Sequence, residues 1–193
     1  NNLLGVCDQM YLFEPGDDTT VCVLKAVKPK KVKLFTGPPS HKEDDAKVVH
    51  ELMTNADIRI VSGGTTSQIV ARELGVEVKS STEIYDKEVP PIAYIHGINL
   101  VTEGVLTLSK TIDRLKSLSK SLDSNIFKAK DGASQMAKLL YSASHIKLLV
   151  GRSLNIANAE ISFQRDLELR LHVIGELEKI LVKLGKIVTI EYY

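Results

Sequence analysis

The chain has 193 residues, is 44% hydrophobic and 25% charged, and carries a formal net charge of +1. Those values describe an ordinary globular protein with one substantial core, or one core and a fragment of another. They give no electrostatic case for nucleic acid or an anionic membrane as a partner.

No apolar run approaches the ~20 residues of a membrane span, and no secretory leader pattern is present, so the expected compartment is the cytoplasm. Cys7 and Cys22 lie near one end with neither a CxxC spacing nor a histidine pair beside them, which predicts reduced core residues. Asn1-Asn2-Leu3-Leu4 opens inside an apolar pattern without an initiator methionine. The expectation is a chain that begins within a larger protein.

Leu3, Val6, Met10 and Phe13 recur at helical spacing and predict a short helix over 3–13. Pro15-Gly16-Asp17-Asp18 is a turn, and 19–27, with Val21, Val23 and Leu24, reads as a strand. This piece is too small to bury a core alone. Lys28-Pro29-Lys30-Lys31 is a basic, proline-interrupted joint, read as a solvated linker and a domain boundary.

A second unit starts with a strand over 32–36, stopped by Gly37-Pro38-Pro39. Ser40 and Glu43 form a capping box for a helix carrying Val48, Val49, Leu52 and Met53, with Asp44-Asp45 placed to favour its dipole rather than a metal. Residues 57–75 then give a strand (Ile58, Ile60, Val61), a glycine break at Gly63-Gly64, and a helix capped by Thr65 and Gln68 and closed by Gly75. Strand, glycine turn and capped helix aim free N–H groups and a positive helix end at one spot, the way α/β proteins hold anions. Neither Gly-x-Gly-x-x-Gly nor Gly-Lys-Ser/Thr is present, so this is no dinucleotide fingerprint or P-loop. A tight connection that needs glycine for geometry alone is the competing reading.

Residues 76–78 predict a short edge strand, 80–91 a loop, and 92–95 with 98–101 a strand pair about Gly97. Thr102-Glu103-Gly104 starts a helix with Val105, Leu108, Ile112, Leu115 and Leu118 on one face. After a polar joint over 123–132 come a helix at 133–143, a strand at 146–150 ending in Gly151-Arg152, and an irregular stretch at 153–165. The longest helix, 166–184, carries a leucine stripe read as a core face, with a homodimer seam as the alternative, and a terminal strand spans 187–192. Alternating strands and helices from Val32 onward predict an α/β fold of three layers, a mainly parallel, Rossmann-like sheet with helices on both faces.

Two stretches resemble one family. Pro15-Gly16-Asp17-Asp18-Thr19-Thr20-Val21-Cys22-Val23-Leu24 is similar to the end of the catalytic domain of PPM-type, SpoIIE-like bacterial serine/threonine phosphatases. Phe35-Thr36-Gly37-Pro38-Pro39, Gly63-Gly64-Thr65-Thr66, residues 69–75, Leu100-Val101-Thr102-Glu103-Gly104 and Val150-Gly151-Arg152 resemble the extra C-terminal domain of some of these phosphatases in anaerobic bacteria. The resemblance implies that 1–27 is the tail of a phosphatase domain, 28–31 a linker, and 32–193 a separate regulatory or ligand-binding α/β domain. It also implies Asp17 as one ligand of a Mn or Mg pair, and a phosphoprotein substrate for the parent protein. One carboxylate is too few for such a site, so catalysis is expected of the parent and not of this chain.

If the apolar runs are parallel strands, their glycine turns share one edge, where α/β sheets bind ligands. The candidate ligand residues are Gly37, Gly63, Gly64, Thr65, Thr66, Thr102, Glu103, Gly104, Gly151 and Arg152, with Arg152 supplying a bidentate cation for a small anion. Glu103 is placed to accept from a hydroxyl or amine. A stand-alone enzyme acting on a phosphorylated or carboxylated small molecule, and a docking module, are the alternatives. Against the enzyme stand the lack of a nucleophile elbow or HExxH, and scattered histidines (His41, His50, His96, His145, His172), of which only His96 borders a candidate turn.

Overall fold

The structure is a computed structural model that describes residues 2–14, 20, 22, 24, 26–120, 126, 128–153 and 162–193. Seven strands form one sheet: β1 (Lys31–Thr36), β2 (Ile58–Ser62), β3 (Lys79–Ser80), β4 (Ala93–Tyr94), β5 (Leu100–Thr102), β6 (His145–Val150) and β7 (Ile187–Tyr192). Their spatial order is β3-β4-β5-β2-β1-β6-β7. The five strands from β5 to β7 are parallel, and the β3–β4 hairpin adds an antiparallel margin. From β1 the chain steps outward through β2 to β5, then crosses back to β6 and β7, which makes a Rossmann-like sheet with its reversal between β1 and β6.

Side chains alternate between two cores because strand residues alternate faces. Val32 and Leu34 of β1 join Ile58, Ile60, Ile146, Leu148 and Val150 beneath three helices, α4 (Val105–Lys120), α5 (Gly132–Ser142) and α6 (Ser162–Lys183). Phe35, Val61 and Leu149 face the other way, onto α2 (Asp45–Met53) and α3 (Gly64–Leu74). The fold is thus three-layered α/β. The leucine stripe of α6 is a core face, with Ile174, Leu177 and Leu181 almost fully buried. Among the described residues no helix is long and apolar enough to cross a membrane.

Several local expectations are corrected. Neither predicted capping box forms. Ser40 instead donates to the Tyr193 carbonyl, and α2 starts at Asp45, whose buried carboxylate pairs with Arg72 of α3. Thr65 is not the cap of α3; Gly63 holds that position at φ 119, where a β-carbon is unfavourable. Gly75 does close α3, at φ 66, with its N–H and that of Val76 returning to the last turn. The edge strand falls on 79–80 rather than 76–78, since Val76 and Val78 turn inward to pack on the α2–α3 core. Near the start, α1 (Asn2–Met10) forms, but Val6, Met10 and Phe13 are exposed, as is Cys22, with Cys7 half-buried. The described residues of 19–27 lie in no strand, and Leu24 is 93% exposed.

Ion pairs seal the N-terminal half of the sheet. Lys33, 7% exposed in central strand β1, donates to the Glu51 carboxylate at 2.6 Å and the Glu51 carbonyl at 2.7 Å. Lys147 bridges that carboxylate to Glu191, which also accepts from the Tyr193 hydroxyl. The bonds from Lys147 and Lys33 hold the Glu51 carboxyl below its ordinary value, and those from Lys147 and Tyr193 do the same for Glu191. A depressed folded-state pKa adds stability that is complete above the ordinary glutamate value and lost as pH falls through the lowered one. Melting temperature should therefore drop on acidification below about pH 4.5. Glu51→Gln should flatten that drop; an unchanged acid limb in the variant would show that the network does not carry it.

Candidate functional site

The parallel register puts the last residues of five strands in one row. Thr102 of β5 aligns with Ser62 of β2, Ser62 with Thr36 of β1, Thr36 with Val150 of β6, and Val150 with Tyr192 of β7. All the glycine turns therefore leave the sheet at one level. Their later course divides the rim in two.

On the β1–β6 side the rim is closed. Gly151 donates to the Thr36 carbonyl at 2.9 Å, and Ser153 to the Pro38 carbonyl at 3.0 Å. A β-carbon on Gly151 would lie 2.1 Å from the Pro38 oxygen and 2.2 Å from that of Gly37, so this glycine exists for close backbone approach. The Arg152 guanidinium leaves the rim and lies 5.3 Å from the centre of the Tyr192 ring. Gly151 and Arg152 thus join the turns together without lining the open cavity.

On the β1–β2–β5 side a cavity of about 350 Å³ remains. Gly37 and Pro38 form one wall, the first turn of α3 (Gly64, Thr65, Thr66) a second, Glu103 and Gly104 a third. Leu169 and Arg170 of α6 close the fourth side. Side chains brace the walls. Thr66 Oγ1 accepts from the buried Gly37 N–H at 2.9 Å, tying the helix start to the β1 turn. Ser62 donates to the Glu103 carbonyl at 2.9 Å, and Gly63 N–H to the Thr102 carbonyl at 2.8 Å, tying β2 to β5. Thr102 itself is 4% exposed, and its hydroxyl donates to Glu103 O and Ser62 Oγ behind the wall.

Seven of the ten candidate ligand residues (Gly37, Gly63, Gly64, Thr65, Thr66, Glu103 and Gly104) thus share one cavity, whereas Thr102, Gly151 and Arg152 do not line it. Arg170 was not anticipated, yet its spacing carries a signal. It stands three residues after Leu167 and four before Ile174, within the stripe that turns inward, so its charge needs acceptors there. One is the Gly151 carbonyl, at 3.3 Å. The guanidinium lies over Gly37, where a β-carbon would meet it at 2.5 Å.

The first N–H groups of α3 have no intrahelical acceptor, and Gly64 and Thr65 are exposed to the cavity. With Arg170 opposite, these groups suit a phosphate or carboxylate. The Glu103 carboxylate, 3.8 Å from where a Gly64 β-carbon would stand, is placed for a hydroxyl or amine of the same molecule. Among the described residues, the cavity lining contains no cysteine, histidine or lysine. Asp17, the metal ligand implied by the family resemblance, lies outside the described residues, and among those described no three His, Cys, Asp or Glu side chains gather as a metal site. Compared with protein-family models, curated proteins and solved structures, the chain gives no match.

Because Thr66 satisfies a buried N–H, Thr66→Val should cost about 1–3 kcal/mol in chemical denaturation, while Thr66→Ser should recover most of it. Equal losses for both would show that the methyl packing, not the hydroxyl, matters.

Proposed function

We propose that residues 32–193 are a regulatory domain that binds a small anionic metabolite at the rim of β1, β2 and β5. The observation that supports this reading best is the polar cavity itself, with exposed helix-start amides on one wall and an arginine on the opposite one. Its volume falls within the range of small-molecule sites.

The parent, in this proposal, is a cytoplasmic PPM-type, SpoIIE-like serine/threonine phosphatase, with 1–27 as the end of its catalytic domain and 28–31 as the linker. Mn or Mg and a phosphoprotein substrate belong to that upstream region, and the ligand bound here governs it. The motif resemblance alone supports this part.

Thermal denaturation of the chain with inorganic phosphate, adenosine monophosphate and citrate tests the site. At least one should raise the melting temperature in a saturable way. Arg170→Ala and Gly64→Val should abolish that rise, the first by removing charge and the second by filling the cavity, whereas Arg152→Ala should retain it. Dependence on Arg152 instead of Arg170 would refute the assignment, and turnover of phosphate esters by the chain would favour the enzyme reading.

A further inference from the structure

Among the described residues, β7 is an outer strand, paired on one side only, with β6. Ile187 N–H donates to the Ser144 carbonyl and Tyr193 N–H to the Val150 carbonyl, both at 2.9 Å. Odd-numbered residues from 187 to 193 therefore turn their backbone groups toward β6. Strand alternation turns the N–H and C=O of Val188, Ile190 and Tyr192 outward.

That edge lacks the usual guards. Ile-Val-Thr-Ile-Glu-Tyr has no proline, and its one charge, Glu191, is taken up by Lys147 and Tyr193. Ile187 and Tyr192 are 57% and 47% exposed. A long, β-branched, unguarded edge is a template for another strand.

We propose that β7 pairs antiparallel with β7 of a second copy of this chain, about a twofold axis at Ile190, fusing two seven-stranded sheets. The register follows from the backbone. A twofold at Ile190 sets Ile190 against itself and Val188 against Tyr192 of the other copy, so every outward N–H and C=O of those three residues finds a partner. Moving the axis to Thr189 sets Tyr192 against Lys186, whose N–H is already bonded to the Leu181 carbonyl.

The side chains also fit a second copy. Val188 meets Tyr192, Ile190 meets Ile190, and Thr189 meets Glu191, so no like charges face each other. The interface is self-complementary and closes at two copies, since it uses the β7 edge of both. This inference is independent of the ligand site.

Light scattering of the 193-residue chain over about a hundredfold range of concentration, with amide hydrogen exchange at both ends of it, tests the proposal. The chain should pass from monomer to dimer. Amides of Val188, Ile190 and Tyr192 should gain protection with concentration, while those of Ile187, Thr189 and Glu191 stay protected throughout. Thr189→Glu, at an exposed position, sets carboxylates opposite Glu191 and should give monomer at every concentration. Ile190→Pro removes an outward N–H, together with the packing of the Ile190 side chain on the core, and should do the same, while Ile190→Ala, which loses the packing and keeps the N–H, should still dimerise. A chain monomeric throughout, a dimer that Thr189→Glu and Ile190→Pro both retain, or a dimer without the alternating change in exchange would each overturn it.

Discussion

The structure depends on the alignment of five parallel strand ends in one row, Thr102, Ser62, Thr36, Val150 and Tyr192. Parallel pairing fixes where each turn begins, and the turns decide what the rim becomes. Where glycine permits backbone contact, at Gly151 against Gly37 and Pro38, the rim is packed shut. One strand further on, between β1 and β2, a threonine hydroxyl spans the gap and a cavity is left beside it. The ligand crevice of such sheets is usually expected at the point where strand order reverses. Here that point is filled, and the opening is displaced toward β2 and β5.

Charge is paired along the sheet: Lys33 and Lys147, in the first halves of β1 and β6, meet Glu51, and Lys147 also meets Glu191 near the end of β7. At the strand ends, the polar groups around the cavity are main-chain amides, hydroxyls, the Arg170 guanidinium and the Glu103 carboxylate. Paired charges hold the layers together, whereas at the start of α3 the backbone of Gly64 and Thr65 borders open volume.

Much of this was legible in the sequence. The short apolar runs at 32–36 and 58–61 and the helical stripes from Val105 and Leu167 onward were enough to give alternating α/β order and a mainly parallel sheet. Gly37, Gly63 and Glu103 were legible as one rim because each follows an apolar run. Gly151 and Arg152 carried the same local signature, yet which turns pack together is decided by neighbours distant in sequence. Capping was misread at Ser40 and Thr65 because both have tertiary surroundings that propensity cannot register: Ser40 bonds to Tyr193, and Gly63 takes the cap of α3. Arg170 was hidden in a stripe read only for its leucines.

The account stands or falls on whether the start of α3 is a working anion contact. Amide chemical shifts followed by NMR during titration with inorganic phosphate measure this directly. Saturable shifts centred on Gly64 and Thr65, with a matching change at the Arg170 side chain, are the predicted result. Shifts centred instead on Lys33 and Lys147, away from the rim, or no saturable change at Gly64, would contradict it.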